Sequence, residues 1–569
     1  MRDRAVIRIR IITAGTILLA LILIGRLYHI QVIKGEQYLE SGERQYVHTV
    51  RDLYTRGNIF FTTKDGDLVS AATVRSGYTL SANPQLITDV DAVYQQLKEI
   101  IPLDEEIAKA RLADTNRIYV ELRQEVDEET ADKVEALDID GLQLYRSQWR
   151  YYPGEDMAAR TIGFVGYKGD EIGGRYGLER YYEDVLKRSD EHLSVNFFAE
   201  MFGNLGEIVF DRAPARRGDV VTTIEPTVTR YLQNRLTEVQ DTWGSSLTGG
   251  IIMHPKTGAV YAMGVVPNFN LNDRTDVPVE DFRNPLVEDV HEMGSIIKAL
   301  TMAAGLDSGA VTSETTYYDA GFIDFDEFTI GNFDGKGRGY VNMQEVLNQS
   351  LNTGVSYVVE EMGGDAFADY FVDLKLGTET GIDLPGEVYG LTNNLKTRRA
   401  VELATASFGQ GLALTPIATV RALATLGNGG TLVTPHVAKE LRFLDGTVQP
   451  VQYPEGDRVF KEATSEEISR MLINVVDDAL QGGAVKLENY SIAAKTGTAQ
   501  IADPERGGYY DDRYLHSFFG YFPAYEPEFL VFLYTVEPKG VRYASETLTE
   551  PFMDVTQFLI NYYSIPPDR

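Results

Sequence analysis

An uncharged apolar run near the N-terminus restricts the architecture of this chain more than any other feature. Residues 11–25 read IITAGTILLALILIG, and four arginines precede them within residues 1–10. A bilayer core needs ~20 apolar residues, but arginines on both sides of the run can extend their side chains toward the interface, so a span near residues 9–30 is adequate. A cleaved signal peptide is the alternative, and it would end at a small-residue cleavage site. The run instead continues into Arg26-Leu27-Tyr28.

The flanking charge sets the orientation of this predicted anchor. Basic residues stay in the cytoplasm, so we expect a cytoplasmic tail at residues 1–10 and a transmembrane helix at residues 11–30. Everything that follows is then exported, and no later segment of the sequence reaches membrane-spanning length. The sequence therefore predicts a single-pass membrane protein with its N-terminus inside.

Length and charge restrict the exported part further. The chain has 569 residues, which is too long for one hydrophobic core. It carries 84 acidic against 53 basic residues, and this excess of negative charge disfavours binding to nucleic acid. It has no cysteine, which excludes disulfides, thiolate metal sites and a cysteine nucleophile.

The pattern of the sequence changes near residue 217. Residues 31–217 are polar and mixed, with strand-like and helical stretches typical of an α+β domain. Five glycines cluster between residues 163 and 177, and we interpret them as turns and close backbone contacts rather than as a phosphate-binding loop. A helix is predicted directly after them, over residues 178–186. Residues 218–569 alternate strands and helices, with strands at both ends of the segment, which predicts one α/β domain. Apolar stretches predict strands at residues 249–253, 259–265, 493–499, 517–522 and 529–537.

Three short elements in this second region carry the chemistry: Ser295-Ile296-Ile297-Lys298, then Ser350-Leu351-Asn352, then Lys495-Thr496-Gly497-Thr498. Each is weak alone, and Lys256-Thr257-Gly258 shows that the Lys-Thr-Gly sequence also occurs in a predicted hairpin. Their order, spacing and context together make the signal.

The first element can form an activated nucleophile. An apolar helix is predicted over residues 296–306, which places Ser295 in its first turn and Lys298 on the same face. A neutral lysine can accept the proton of a serine hydroxyl, but lowering its pKa from ~10.4 to about 7 requires roughly 4–5 kcal/mol. Burial and a second cation both act in this direction, and Lys495 is the natural second cation. A helix-capping serine with a solvated lysine is the alternative interpretation.

The other two elements can bind a substrate. Ser350 and Asn352 can relay a proton and hold an amide, although a polar turn between two helices explains them equally well. On a strand, Thr496 and Thr498 share one side. We expect their hydroxyls and the Lys495 ammonium to bind a carboxylate, while Gly497 lets an extended peptide lie against the strand.

This ordered triple resembles the penicillin-recognising serine transpeptidases, and specifically the class B penicillin-binding proteins. The likeness extends over most of the chain, through motifs such as Arg56-Gly57-Asn58-Ile59, Gly177-Leu178-Glu179, Ser407-Phe408-Gly409-Gln410-Gly411 and Ser517-Phe518-Phe519-Gly520. The resemblance implies a non-catalytic pedestal or dimerisation domain at residues 31–217. It implies a transpeptidase domain at residues 218–569, an antiparallel sheet covered by helices as in serine β-lactamases.

The resemblance also implies a role for each site residue. Ser295 is the expected acylated nucleophile, Lys298 its general base and Ser350 the proton relay to the leaving D-alanine. Asn352 is expected to bind the donor peptide's amide, and Lys495, Thr496, Gly497 and Thr498 its terminal carboxylate. The backbone N–H groups of Ser295 and Thr498 form the expected oxyanion hole. This chemistry needs no metal and no organic cofactor.

The expected function is therefore D,D-transpeptidation of peptidoglycan stem peptides at a bacterial cytoplasmic membrane. The expected partners are a D-Ala-D-Ala donor, an amine acceptor, β-lactams as covalent inhibitors and a membrane glycosyltransferase of a division or elongation complex. A septal role is favoured over an elongation role, and the open alternatives are an acyl-enzyme hydrolase (D,D-carboxypeptidase or β-lactamase) and a catalytically silent scaffold. The chain departs from the family pattern at Met293, where proline is usual, and lacks a Gly-Gly pair near residues 541–551.

Overall fold

A computed structural model describes residues 56–168, 171–188, 216–325 and 328–569. The predicted cytoplasmic tail and membrane anchor lie outside these residues. Within the described residues, no helix combines the length and apolar character needed to cross a bilayer.

The described residues fall into two units, one of residues 74–149 and a larger one of residues 56–73 and 150–569. The predicted boundary between residues 217 and 218 lies inside the larger unit and stays a prediction. The strands are β1 (Ile59–Thr62), β2 (Leu68–Ala82), β3 (Val120–Val126), β4 (Leu142–Tyr151), β5 (Val165–Lys168), β6 (Glu171–Gly174), β7 (Gly218–Thr222), β8 (Leu247–Met253), β9 (Val260–Val266), β10 (His291–Glu292), β11 (Thr316–Asp319), β12 (Phe322–Phe325), β13 (Phe328–Gly331), β14 (Gly339–Asn342), β15 (Ala413–Leu414), β16 (Ala438–Phe443), β17 (Val448–Pro450), β18 (Ala493–Ala502), β19 (Tyr509–Phe522) and β20 (Phe529–Val536).

The α-helices are α1 (Val90–Lys98), α2 (Glu105–Ala113), α3 (Glu128–Glu135), α4 (Ala159–Ile162), α5 (Gly177–Tyr181), α6 (Glu183–Leu186), α7 (Pro226–Trp243), α8 (Pro285–Glu288), α9 (Lys298–Ser308), α10 (Met343–Asn348), α11 (Asn352–Met362), α12 (Gly364–Asp373), α13 (Asn393–Thr397), α14 (Ala400–Ala406), α15 (Pro416–Ala424), α16 (Glu462–Asn474), α17 (Ala544–Thr547) and α18 (Thr549–Tyr563).

The smaller unit is a piece of antiparallel sheet with helices. In it, β2 pairs with β3 and with β4. Helices α1 and α3 begin at aspartates whose side chains accept hydrogen bonds from the first turn, Asp89 from Ala92 and Asp127 from Thr130. Apolar side chains from these helices and strands form a core of their own.

The larger unit is organised around a five-stranded antiparallel sheet in the order β18-β19-β20-β8-β9. Both faces of this sheet are covered, as β20 shows: its side chains point alternately into two different hydrophobic cores. Phe529, Val531 and Leu533 pack with α7 and α18, whereas Leu530 and Phe532 pack with the core that contains α9. A strand buried on both faces reads as a continuous apolar run, as FLVFLYTV does.

Helix α9 lies inside the second of these cores. Its residues Lys298–Ala304 are all buried, as expected for a helix that is apolar all round. It packs against α11 and α16. Its first residue, Lys298, is therefore held away from water by the fold itself.

The structure confirms the predicted strands of the larger sheet and changes two details of the predicted helices. Ser295 lies in a 3₁₀ turn, Gly294–Ile297, and the α-helix begins only at Lys298. The helix predicted near residues 178–186 is two short helices, α5 and α6, because Tyr182 leaves helical geometry between them. Three of the clustered glycines, Gly163, Gly174 and Gly177, make close backbone contacts: a Cβ at Gly163 would lie 1.9 Å from the Tyr176 carbonyl oxygen.

Candidate active site

The edge strand β18 and the turn before α9 meet at the predicted site. The backbone of the turn lies directly on the strand, because a Cβ at Gly294 would be 2.7 Å from the Thr498 carbonyl oxygen. Gly294 has a φ of +64°, a conformation that side chains disfavour. This contact places Ser295 next to Thr498.

Gly497 of β18 also allows the strand and the turn that carries Ser295 to approach closely. A Cβ at Gly497 would lie 2.3 Å from Ser517 Oγ and 2.7 Å from the Met293 carbonyl oxygen. The Ser517 hydroxyl, on the neighbouring strand β19, donates to that carbonyl at 2.8 Å. Gly497 was predicted to admit a peptide to the strand, and in the structure its absent side chain admits the turn that carries Ser295.

Met293, which occupies the position of the family's proline, is fully buried. The hydrogen bond from Ser517 to its carbonyl fixes the backbone just before the turn that carries Ser295. The chain just before it is fixed as well, because Glu292 accepts hydrogen bonds from the Gly411 N–H and the Tyr509 hydroxyl. Burial raises the pKa of the Glu292 carboxyl.

Lys298 and Lys495 converge on Ser350. The Lys298 Nζ is 2.5 Å from the Ser350 carbonyl oxygen and 3.2 Å from Ser350 Oγ. The Lys495 Nζ is 3.1 Å from the same Oγ and 3.1 Å from the Thr496 carbonyl oxygen. Ser350 adopts the left-handed region, with a φ of 55°, and this strained conformation presents both its carbonyl and its hydroxyl to the lysines.

Both lysines are buried, and no carboxylate of the described residues is among the groups that shift their pKa values. Lys298 is 1% exposed and Lys495 is 3% exposed. Desolvation, followed by repulsion from Lys495, holds the pKa of Lys298 well below its ordinary value. Desolvation lowers the pKa of Lys495 to about 8. Burial and the neighbouring cation thus favour the neutral form of Lys298, whereas Lys495, with a pKa of about 8, stays mostly charged at neutral pH.

The side chains of β18 alternate as predicted. Thr496 and Thr498 are partly exposed on one face, whereas Lys495 and Gly497 are buried on the other. Lys495 therefore approaches the site from beneath the strand, and its nearest partners are Ser350 and a carbonyl rather than the two threonine hydroxyls. The edge position of β18 leaves its outer side for an extended ligand.

Asn352 lies apart from the lysine pair. It is the first residue of α11, and its side-chain amide donates to the Gly331 carbonyl at 2.8 Å. Sequence reasoning missed the buried cluster behind it, in which Thr353 Oγ1 lies 2.8 Å from Asp319 and 3.1 Å from Asn332. This cluster fixes the start of α11 and so the Ser350–Asn352 segment; its members have no spacing pattern that would reveal them in the sequence.

Two family models match the chain. The penicillin binding protein transpeptidase domain matches residues 248–556, and the penicillin-binding protein dimerisation domain matches residues 54–219. These two regions are those in which the sequence predicted a catalytic and a non-catalytic part.

Individual proteins resemble the chain over nearly its whole length. Stage V sporulation protein D of Bacillus subtilis is 28% identical over 547 residues, covering 94% of this chain and 82% of that protein. Peptidoglycan D,D-transpeptidase FtsI of Escherichia coli is 26% identical over 567 residues, covering 97% and 92%. The crystal structure of penicillin binding protein 3 from Mycobacterium tuberculosis, complexed with aztreonam, shares the fold with a TM-score of 0.69 at 21% identity, covering 91% and 98%. The chain thus belongs to the penicillin-binding protein transpeptidases and is a class B penicillin-binding protein, a peptidoglycan D,D-transpeptidase.

Proposed function

We propose that this D,D-transpeptidase works through an acyl-enzyme on Ser295, with Lys298 as the general base. The observation that carries the proposal is the convergence of two buried lysines on Ser350, beside the turn that holds Ser295. A lysine amine acts as a base only when it is neutral. Burial and the neighbouring Lys495 charge both favour the neutral form of Lys298.

In the acylation step, the Ser295 oxygen forms a bond to the carbonyl carbon of the penultimate D-alanine. The peptide bond to the terminal D-alanine breaks. The hydroxyl proton passes to Lys298 and then, through the Ser350 hydroxyl, to the leaving amine. Charged Lys495 donates to Ser350 Oγ, so the Ser350 proton is free to point toward the leaving group.

In the second step an acceptor amine attacks the ester and loses a proton to Lys298. The new peptide bond forms as the Ser295 oxygen leaves and is reprotonated. The N–H groups of Ser295 and Thr498 stabilise the oxyanion of both steps, and the close contact of the turn with the strand supports this pairing.

Substrate binding is assigned to the outer side of β18 and to the start of α11. Thr496 and Thr498 offer hydroxyls on the partly exposed face for the terminal carboxylate, and Lys495 and Gly497 support them from the buried face. Asn352 has a second amide N–H and a carbonyl oxygen with which it can bind a peptide amide. A strained β-lactam enters the same site, as the aztreonam complex of the related protein suggests.

For the cellular role we favour septal wall synthesis over elongation. The protein is anchored in the cytoplasmic membrane by residues 11–30, with residues 31–217 as pedestal and residues 218–569 as the catalytic domain outside. A membrane glycosyltransferase supplies the glycan strands. Depletion of the protein should give filaments without septa; rounded cells that still divide would indicate elongation instead.

A fluorescent penicillin tests the chemistry. The full chain in detergent should be labelled stably, Ser295→Ala should not be labelled, and Ser308→Ala at the far end of α9 should be labelled normally. Turnover of the label within seconds would indicate an acyl-enzyme hydrolase. No labelling of the folded wild-type chain would indicate a silent scaffold.

A further inference from the structure

His516 is a fully buried titratable residue with no part in the chemistry described above. It lies on β19 directly opposite Thr498 of β18 in the antiparallel register, so the two side chains share one face of the sheet. The segment from Arg542 to Thr547, which contains α17, packs on this face.

Both ring nitrogens of His516 bond to that segment. Its Nε2 is 3.0 Å from the Arg542 carbonyl oxygen, and its Nδ1 is 2.9 Å from Thr547 Oγ1. A carbonyl oxygen only accepts, so Nε2 carries the proton. Burial lowers the pKa of the imidazole to about 4, so the ring is neutral near pH 7 and Nδ1 accepts from the Thr547 hydroxyl.

The segment held in this way reaches the site through one bond. The Ala544 N–H donates to Thr498 Oγ1 at 3.1 Å. A threonine hydroxyl that accepts a hydrogen bond on one side must direct its proton elsewhere. The partly exposed face of β18 is where the proposed carboxylate lies, so this bond turns the Thr498 hydroxyl into a donor toward the carboxylate.

We propose that His516 is a positioning residue for recognition of the substrate carboxylate: it fixes the Arg542–Thr547 segment so that the Ala544 N–H orients the Thr498 hydroxyl. This inference rests on the proposed carboxylate site at Thr498. The pairing explains why a polar ring occupies a fully buried position, since both of its nitrogens are satisfied by two points of the same segment.

The test compares acylation by benzylpenicillin with acylation by its methyl ester, which lacks the carboxylate. The ratio of the two second-order rate constants measures carboxylate preference in the full-length protein. His516→Leu removes both bonds of the ring and should reduce the ratio about tenfold, as expected for the loss of one oriented hydrogen bond to a charged group. His516→Gln, which keeps a donor for Arg542, should retain part of the preference.

Thr547 provides a matched pair if a change at the buried histidine impairs folding. Thr547→Val removes the hydroxyl at nearly constant volume and should lower the ratio, whereas Thr547→Ser keeps the hydroxyl and should preserve it. Melting curves of each variant show that the comparison is made between folded proteins. The Thr498→Val and Thr547→Val changes should be less than additive, because both act through one hydroxyl.

Three outcomes would overturn the inference. Equal losses of acylation by the acid and the ester, with the ratio unchanged, would show that His516 serves only the fold. A ratio that falls in Thr498→Val but stays at the wild-type value in Thr547→Val would show that Thr498 needs no positioning. A ratio unchanged in Thr498→Val would instead refute the proposed carboxylate site, and the inference with it.

Discussion

The repulsion between Lys298 and Lys495 gives the sharpest quantitative prediction. Both Nζ atoms lie within hydrogen-bonding distance of Ser350 Oγ, at 3.2 and 3.1 Å, so they are at most about 6 Å apart. At an effective dielectric constant of ~20, two unit charges at ~6 Å repel by about 3 kcal/mol. Even half of this energy changes the fraction of neutral Lys298 about tenfold at a pH below its pKa.

The perturbation is Lys495→Gln, which removes the second charge and keeps a polar group of similar length. The pKa of Lys298 is depressed in the folded protein, and repulsion from Lys495 is one of the causes. Removing that charge should raise the pKa of Lys298, so the acidic limb of the pH–acylation profile should move to higher pH. The feature near pH 8 that reports loss of the Lys495 charge should disappear.

The assay is the second-order rate constant for acylation by a fluorescent penicillin between pH 5 and 10. The position of each limb is compared rather than the plateau, because Lys495→Gln also weakens ligand binding. Lys256→Gln is the matched control, since Lys256 precedes the other Thr-Gly pair and is paired with Glu526 at the surface. An acidic limb that stays in place or moves to lower pH in Lys495→Gln would show that repulsion from Lys495 does not depress the pKa of Lys298.

Three further predictions concern buried charges and close packing. Lys298→Met should abolish acylation but raise the melting temperature at pH 7. The pKa of Lys298 is lower in the folded than in the unfolded chain, so the unfolded chain binds more protons and stability rises with pH between the two values. A lower melting temperature would contradict this. Gly497→Ala should slow acylation and destabilise the protein by roughly 1–3 kcal/mol, because its Cβ would overlap Ser517. A Cβ at Gly264 would have no neighbour within 4 Å, so Gly264→Ala should be neutral. Equal effects of the two changes would show that close packing at Gly497 does not matter. Glu179→Gln removes a charge that lies 2.6 Å from the buried Arg56 guanidinium and 2.5 Å from the buried Arg150 guanidinium; Arg56 keeps its second partner, Glu183. The change should cost about 3–5 kcal/mol in denaturant unfolding, whereas Glu129→Gln, which breaks an exposed pair with Lys133, should leave the free energy of unfolding unchanged.

The catalytic fold is predictable from the sequence where apolar patterns are long. Strands β8, β9 and β20 are buried stretches between turn residues, and the sequence places them to within two residues. The 3₁₀ turn at Ser295 is not predictable in the same way, because helical periodicity does not distinguish a 3₁₀ turn from the first turn of an α-helix. The break at Tyr182 depends on tertiary contacts, since its hydroxyl bonds to the distant, buried Asp383.

The site itself is predictable only as a set of residue types. The sequence indicates Lys298 and Lys495 as a pair, and the structure brings both to Ser350. The sequence does not reveal that Lys495 approaches from the buried face, because this depends on the register of β18. Nor does the sequence reveal His516, Ala544 or Thr353, because their roles arise from backbone contacts and cross-strand neighbours that produce no recognisable spacing in the sequence.

A D,D-transpeptidase differs from an acyl-enzyme hydrolase in one step: we propose that Ser295 transfers its acyl group to an amine rather than to water. The direct measurement is to supply the full-length protein with nascent peptidoglycan that carries pentapeptide stems, together with a glycosyltransferase, and to separate the muropeptides by mass. We expect cross-linked dimers with release of one D-alanine per cross-link, and none with Ser295→Ala. Tetrapeptide monomers without dimers, or dimers formed by the Ser295→Ala protein, would contradict it.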